Sequence, residues 1–190
     1  ADSSGANDGI VGWLTLPYDH PNTSNRTGIT NATITIDALK ASDKFVNYAQ
    51  YDLNGDGKIS SNELHIVVVV AGFERAYSTQ SPSVWAHRWS IFPGYNGLPP
   101  VLDGVELGNA NNNSGYIQIG EIQGDHLSTI GTIVHEMGHD LGMPDLYDIS
   151  SADGAWDGAG AWSLMASGSW NTVPRKPLGS SPALPIALMK

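Results

Sequence analysis

The 190-residue chain is 41% hydrophobic and 15% charged, with 22 Gly and 11 Pro, which suits one folded domain with many ordered turns rather than a disordered segment. Nineteen acidic residues against nine basic ones give a formal charge of -10, excluding nucleic acid and an anionic membrane surface as main partners. Cysteine is absent, so disulfides and thiolate metal sites are excluded, and any zinc must be held by His and carboxylate.

In chain order, "IVGWLTLPY" at 10–18 is apolar and β-branched enough to predict a strand, followed by a polar loop. Asp37 is the expected N-cap of a helix over "DALKASDKFVNYAQY", where Leu39, Phe45, Val46 and Ala49 recur near helical spacing. The loop "DLNGDGKISSNE" comes next, then "LHIVVVVAGFE" at 64–74. This run predicts a strand buried on both faces and is far shorter than the roughly 20 residues that cross a bilayer. "SVWAHRWS" at 83–90 and "YIQIGEIQ" from 116 are further strands, with a turn at 108–115 between them.

From Asp125 to Leu141 the apolar residues Leu127, Ile130, Ile133, Val134, Met137 and Leu141 predict an amphipathic helix. Gly142 supplies a left-handed stop and Pro144 prevents resumption. Beyond it, "SADGAWDGAGAWSLMASGSWNT" is Gly-rich and aromatic, the composition of a packed irregular subdomain. Asp153 and Asp157 there are read as turn formers rather than calcium ligands.

The helix carries His135 and His139 one turn apart on one face, so both imidazoles can reach one ion. Glu136 beside them can take a proton from an activated water without ligating the metal, which implies hydrolysis of a polarised carbonyl, most simply a peptide bond. The motif extends to HExxHxxGxxD: Gly142 lets the chain bend back so that Asp145 approaches the same ion. Asp145 is the first choice for third ligand. Asp148 stands nearby as an alternative or supporting group, and Asp140 lies off the ligand face.

"HEMGHDLGMPDLYD" and "WSLMASGSW", with "ELHIVVVVAGFE" and "WAHRW" more loosely, resemble the secreted bacterial metalloproteases related to immune inhibitor A. The resemblance spans roughly residues 60 to 170. It implies a secreted zinc endopeptidase of α+β, zincin-like fold, with an upper subdomain of mixed sheet, helices and the active-site helix. A smaller irregular lower subdomain would follow, the division falling near residues 142 and 143. It also implies that Met165 lies in the tight turn beneath the metal, as in metzincin-like proteases.

"DLNGDGKISSNE" matches the calcium-loop pattern at every fixed position. Asp52, Asn54 and Asp56 offer side-chain oxygens, Lys58 its carbonyl and Glu63 a bidentate carboxylate. Ser60 is a further donor, direct or through water; Gly57 makes the turn and Ile59 ties the loop to the core. Because a strand follows where an EF-hand would place a helix, calcium is expected to stabilise rather than signal. Trp85, His87, Arg88 and Trp89 are expected in the core rather than the cleft, and Tyr147 to pack rather than stabilise an oxyanion.

The sequence thus predicts one monomeric domain over 1–190, a zinc endopeptidase that acts on protein or peptide and is stabilised by calcium. A calcium-dependent binding module without catalysis, or a zinc hydrolase of small amides or esters, are the rival readings.

Overall fold

The computed structural model of the chain describes residues 9–23, 28–149 and 158–186. Asp153 and Asp157 lie outside these. Among the described residues the fold is mixed α+β, with two α-helices and a five-stranded sheet. No helix among the described residues is long and apolar enough to cross a membrane.

Helix α1 spans Gly28–Ser42, so Asp37 lies inside it instead of capping it, and Tyr48–Tyr51 forms a separate 3-10 turn. Tertiary burial decides this against local propensity: Ala32, Ile36 and Leu39 enter the main core with Tyr48, Ile59, Ile66 and Tyr116, which outweighs the poor helix propensity of the Thr- and Ile-rich stretch. Residues 10–18 form no strand. Ile10 and Trp13 stand exposed, and apolar content without a ladder to close the backbone hydrogen bonds does not make a strand.

The sheet order is β2 (Ser83–Val84), β1 (Val67–Glu74), β6 (Tyr116–Gln123) and β3 (His87–Trp89), with β7 (His126–Leu127) also on β6. β1 runs parallel to β2 and β6, whereas β3 and β7 are antiparallel to β6. The expected single strand over 83–90 is therefore two short strands on different edges. β4 (Val101–Leu102) and β5 (Val105–Glu106) form a separate hairpin.

β6 is the strand covered on both faces. Gln118 meets the helix α1 side, its amide donating to Asn31 O and Thr35 Oγ1. Ile117 and Ile119 pack with Ile133 and Met137 of helix α2 (Ile130–Asp140), a burial worth about 2 kcal/mol for each isoleucine. β1 differs from expectation, since Val67 and Val69 are exposed. Their register partners are Ile117 and Ile119, and the α2 face that covers those two does not extend over β1.

Helix α2 begins at Ile130 rather than Asp125. Gly124, at φ 66, turns the chain back so that His126 and Leu127 pair with Gln123 and Ile122, and Leu127 is exposed despite its helical spacing. Thr129 at the N-cap position gives its hydroxyl to Leu178 O. The C-terminal stop is as expected: Gly142 N–H bonds His139 O and Met143 N–H bonds Gly138 O, a Schellman motif with Gly142 at φ 88.

Candidate metal centre and active-site cleft

Helix α2 presents His135 and His139 on one row, and the Schellman turn carries the chain back across its end to Asp145. Asp145 Oδ1 lies 3.3 Å from His135 Nε2 and 3.2 Å from His139 Nε2. These three potential ligand atoms lie within 4.8 Å of one another, and no other cluster of three His, Asp or Glu groups does so among the described residues.

Backbone carbonyls fix the imidazoles. His135 Nδ1–H donates to Leu164 O at 2.9 Å and His139 Nδ1–H to Met143 O at 2.8 Å, which leaves each Nε2 lone pair directed at the shared point. Asp145 Oδ1 is buried without a hydrogen-bond partner there. A buried carboxylate oxygen facing two acceptor nitrogens is unfavourable unless a cation or protons sit between them, and two nitrogens with one oxygen form a donor set suited to zinc.

The titration behaviour follows from this crowding. Burial opposes charge on His135, but the Asp145 contact overrides it and raises the pKa; for His139 the same Asp145 contact is the largest cause of a rise. Burial would raise Asp145, yet the two imidazoles and Tyr147 hold it well below the usual carboxylate range. Burial pushes the Glu136 carboxyl up, against the lowering pull of His135, His139 and the nearby Arg88 main-chain N–H.

The floor of the site is Met165, fully buried beneath the helix. A Cβ at Gly138 would overlap its sulfur, so glycine there is what lets the helix lie on this turn. Leu146 N–H bonds Met165 O, tying the Asp145 segment to the same turn.

The family model of the immune inhibitor A peptidase M6 catalytic domain matches residues 9–183. The chain belongs to this family. It is 29% identical over 147 residues to immune inhibitor A of Bacillus thuringiensis subsp. alesti, covering 70% of this chain and 21% of that protein. It is also 29% identical over 143 residues to the pre-pro-metalloprotease PrtV of Vibrio cholerae, covering 68% of this chain and 15% of that protein. The chain thus spans about a fifth or less of the length of these relatives.

Within this M6 catalytic domain, a pocket of about 610 Å³ opens beside His135 and Glu136, walled by Trp85, Ala86, Ala166 and Trp170. Trp85, expected in the core, lines this cleft, and Trp89 is exposed. Tyr147 donates to Asp145 and its ring stacks at 6.4 Å from that of His135, a supporting contact beyond simple packing. Asp148 lines the pocket and is absent from the ligand cluster.

The acidic loop is arranged differently. Asp52 Oδ1 accepts from Gly55 and Asp56 N–H and its Oδ2 from Gly57 N–H, Asn54 Oδ1 accepts from Asp56 N–H, and Asp56 Oδ1 accepts from Lys58 N–H. Glu63 closes the loop by accepting from Leu53 N–H and from the Ser60 amide and hydroxyl, contacts that lower its pKa. Gly57 makes the turn at φ 75, and Ile59 is fully buried, as expected. A strand rather than a helix follows.

Two contributors were missed by the sequence reading. Glu74 is completely buried at the end of β1, where Oε1 accepts from Ala76 and Ala86 N–H at 2.9 Å and Oε2 from Gly120 N–H at 2.8 Å; it thereby holds two residues that line the pocket. The signal available was a carboxylate ending an apolar strand run. Asp140, rightly placed off the ligand face, proves to be a buried acceptor for three side chains.

Proposed function

We propose that this chain is the catalytic domain of a zinc-dependent endopeptidase, with His135, His139 and Asp145 as ligands and Glu136 as general base. The observation that carries this reading is the buried, unpartnered Asp145 Oδ1 facing two imidazoles whose other nitrogens are already committed. Zinc, when bound, supplies a Lewis acid that polarises a carbonyl and lowers the pKa of water toward about 7. Glu136 accepts the proton of the attacking water and delivers it to the departing amine. Its raised pKa suits it to hold that proton between the two steps. Tyr147 holds Asp145 in place, and the Trp-walled pocket beside the site receives a side chain of a protein or peptide substrate.

On this reading, one monomeric zincin-like domain spans the chain, with the cleft between an upper part to about residue 142 and a lower part from 143, and it acts outside the cell. Asp52, Asn54, Asp56, the Lys58 carbonyl and Glu63 hold a calcium ion that stabilises the fold. The supporting observation is the loop pattern, with its two left-handed glycines and its buried Ile59 anchor.

The test is digestion of unfolded casein by the wild type and Glu136→Ala, with zinc measured on both. Stoichiometric zinc in both proteins and cutting by the wild type alone are expected, with a loss of about 10²–10⁴-fold or more for removal of a general base. Equal cutting would remove Glu136 from its role. Activity on small acyl amides or esters but not on casein would move the substrate class, and neither zinc nor hydrolysis would leave a calcium-binding module.

A further inference from the structure

Helix α2 carries two adjacent rows with four-residue spacing. His135 and His139 form one, and Glu136 and Asp140 form the next, about 100° around the axis. One residue of the neighbouring strand grips the second row at its Asp140 position: Arg88 Nε donates to Asp140 Oδ1 at 2.8 Å. Asp140 is buried, its side chain 2% exposed, and it also accepts from Ser61 Oγ at 3.1 Å and from His65 Nδ1. The remaining guanidinium nitrogens reach Ser90 Oγ and Ser61 Oγ at 3.3 and 3.5 Å. Gly115 leaves the space, since a Cβ there would meet the guanidinium at 2.7 Å.

A helix resting on apolar contacts alone can roll by several degrees at little cost, because Ile133 and Met137 are adaptable surfaces. A planar guanidinium fork on a fixed strand, bound to a carboxylate that has no water to turn to, cannot follow such a roll without losing charged hydrogen bonds. Because the two rows belong to one rigid helix, fixing the second fixes how Glu136 and the row beside it face the pocket walled by Trp85 and Ala86.

We propose that Arg88 and Asp140 are positioning residues that lock the rotation of helix α2 and so aim the Glu136 carboxylate, a role that rests on the peptidase reading above. Neither touches the metal or the substrate. His135 and His139 ride on the same helix and Asp145 follows the turn that caps it, so the three ligands survive a small roll together, whereas the placement of Glu136 against a substrate in the pocket does not.

The test uses the full chain as wild type, Asp140→Asn, Arg88→Lys, their double variant, and Ser90→Ala, which removes one guanidinium partner and leaves the Arg88–Asp140 contact. Zinc per chain, kcat and KM on one peptide are measured well below each melting temperature. Amide hydrogen exchange of helix α2 is followed in the metal-free proteins. The lock predicts zinc retained near one per chain, kcat lowered at least tenfold in each single variant with KM within twofold, and the double variant close to the singles rather than their product. It also predicts at least tenfold faster exchange at residues 137–140, with Ser90→Ala like wild type. If Asp140→Asn does not fold, Arg88→Lys carries the same comparison. Unchanged kcat with a lowered melting temperature would make the contact merely structural, and multiplicative losses would make the two residues independent; either overturns the proposal. A wild type that binds zinc but cuts nothing would sink the peptidase reading and the aiming role with it. Equal exchange in wild type and Arg88→Lys overturns the lock whatever the activity.

Discussion

The two motif-complete stretches of this chain, the helix end at His135–Asp145 and the loop at Asp52–Glu63, are organised in opposite ways. In the loop, the carboxylates are spent on the chain's own amides: Asp52 alone accepts from three backbone N–H groups and Glu63 from two, together with the Ser60 hydroxyl. At the helix end the ring nitrogens are oriented from behind by carbonyls, and the oxygen that faces them is left without a partner. A set of side chains that satisfies itself folds with or without an ion. A set that converges unsatisfied is built at a cost that only an ion or protons offset.

That contrast orders the expected effects. The largest is at Asp145, where replacement by Ala removes one of the three proposed ligands: zinc and all measurable hydrolysis are expected to be lost together, while Asp148→Ala retains both. The reverse pattern, read by metal analysis, would transfer the ligand role to Asp148. Next is Gly138→Ala, which sets a Cβ against the Met165 sulfur and forces the helix off its floor. It should cost about 1–3 kcal/mol in denaturant unfolding, the range for overpacking, and lower zinc affinity as the ligand row moves.

Glu74→Gln tests the buried carboxylate that serves the cleft wall from outside both motifs. An amide can replace the oxygen that accepts from Ala76 and Ala86 but presents N–H to Gly120, so about 1–3 kcal/mol is expected to be lost at neutral pH. Burial raises the Glu74 pKa above its ordinary 4.5, so from that pH up to its folded value the native state keeps a proton that the unfolded chain has shed. Stability of the wild type therefore falls as pH rises through that window, and Glu74→Gln lacks this component. The smallest effect belongs to the loop: calcium should raise the melting temperature of the wild type by a few degrees and leave Glu63→Gln unmoved, with zinc content equal in both. A zinc content that tracks calcium would erase the distinction between the regions.

The site was more legible than the fold because its chemistry is local in sequence. His135, Glu136, His139, Gly142 and Asp145 fall within three turns of chain, and the helix stop can be read from Gly142 and Pro144 alone. Contacts between distant segments left no such trace. Helix α1 starts at Gly28 because Ala32 and Ile36 find a core supplied by Ile59, Ile91 and Tyr116, none of which their own neighbours announce. The run at 64–74 predicts a strand covered on both faces, yet cover depends on where helix α2 lies, and it lies over β6. Leu127 matched the helical period by coincidence while Gly124 sent it into a hairpin. The Arg88–Asp140 pair joins residues 52 apart, a pairing that no spacing rule in a single sequence reveals.

The central claim is that one ion is held by three named atoms at the end of helix α2. Anomalous scattering collected above and below the zinc edge from crystals grown with zinc tests it most directly. The account predicts a single strong zinc peak about 2.0–2.2 Å from His135 Nε2, His139 Nε2 and an Asp145 oxygen. A peak bound by the histidines and Asp148 with Asp145 turned away, or one in the acidic loop with none at the histidines, would contradict it.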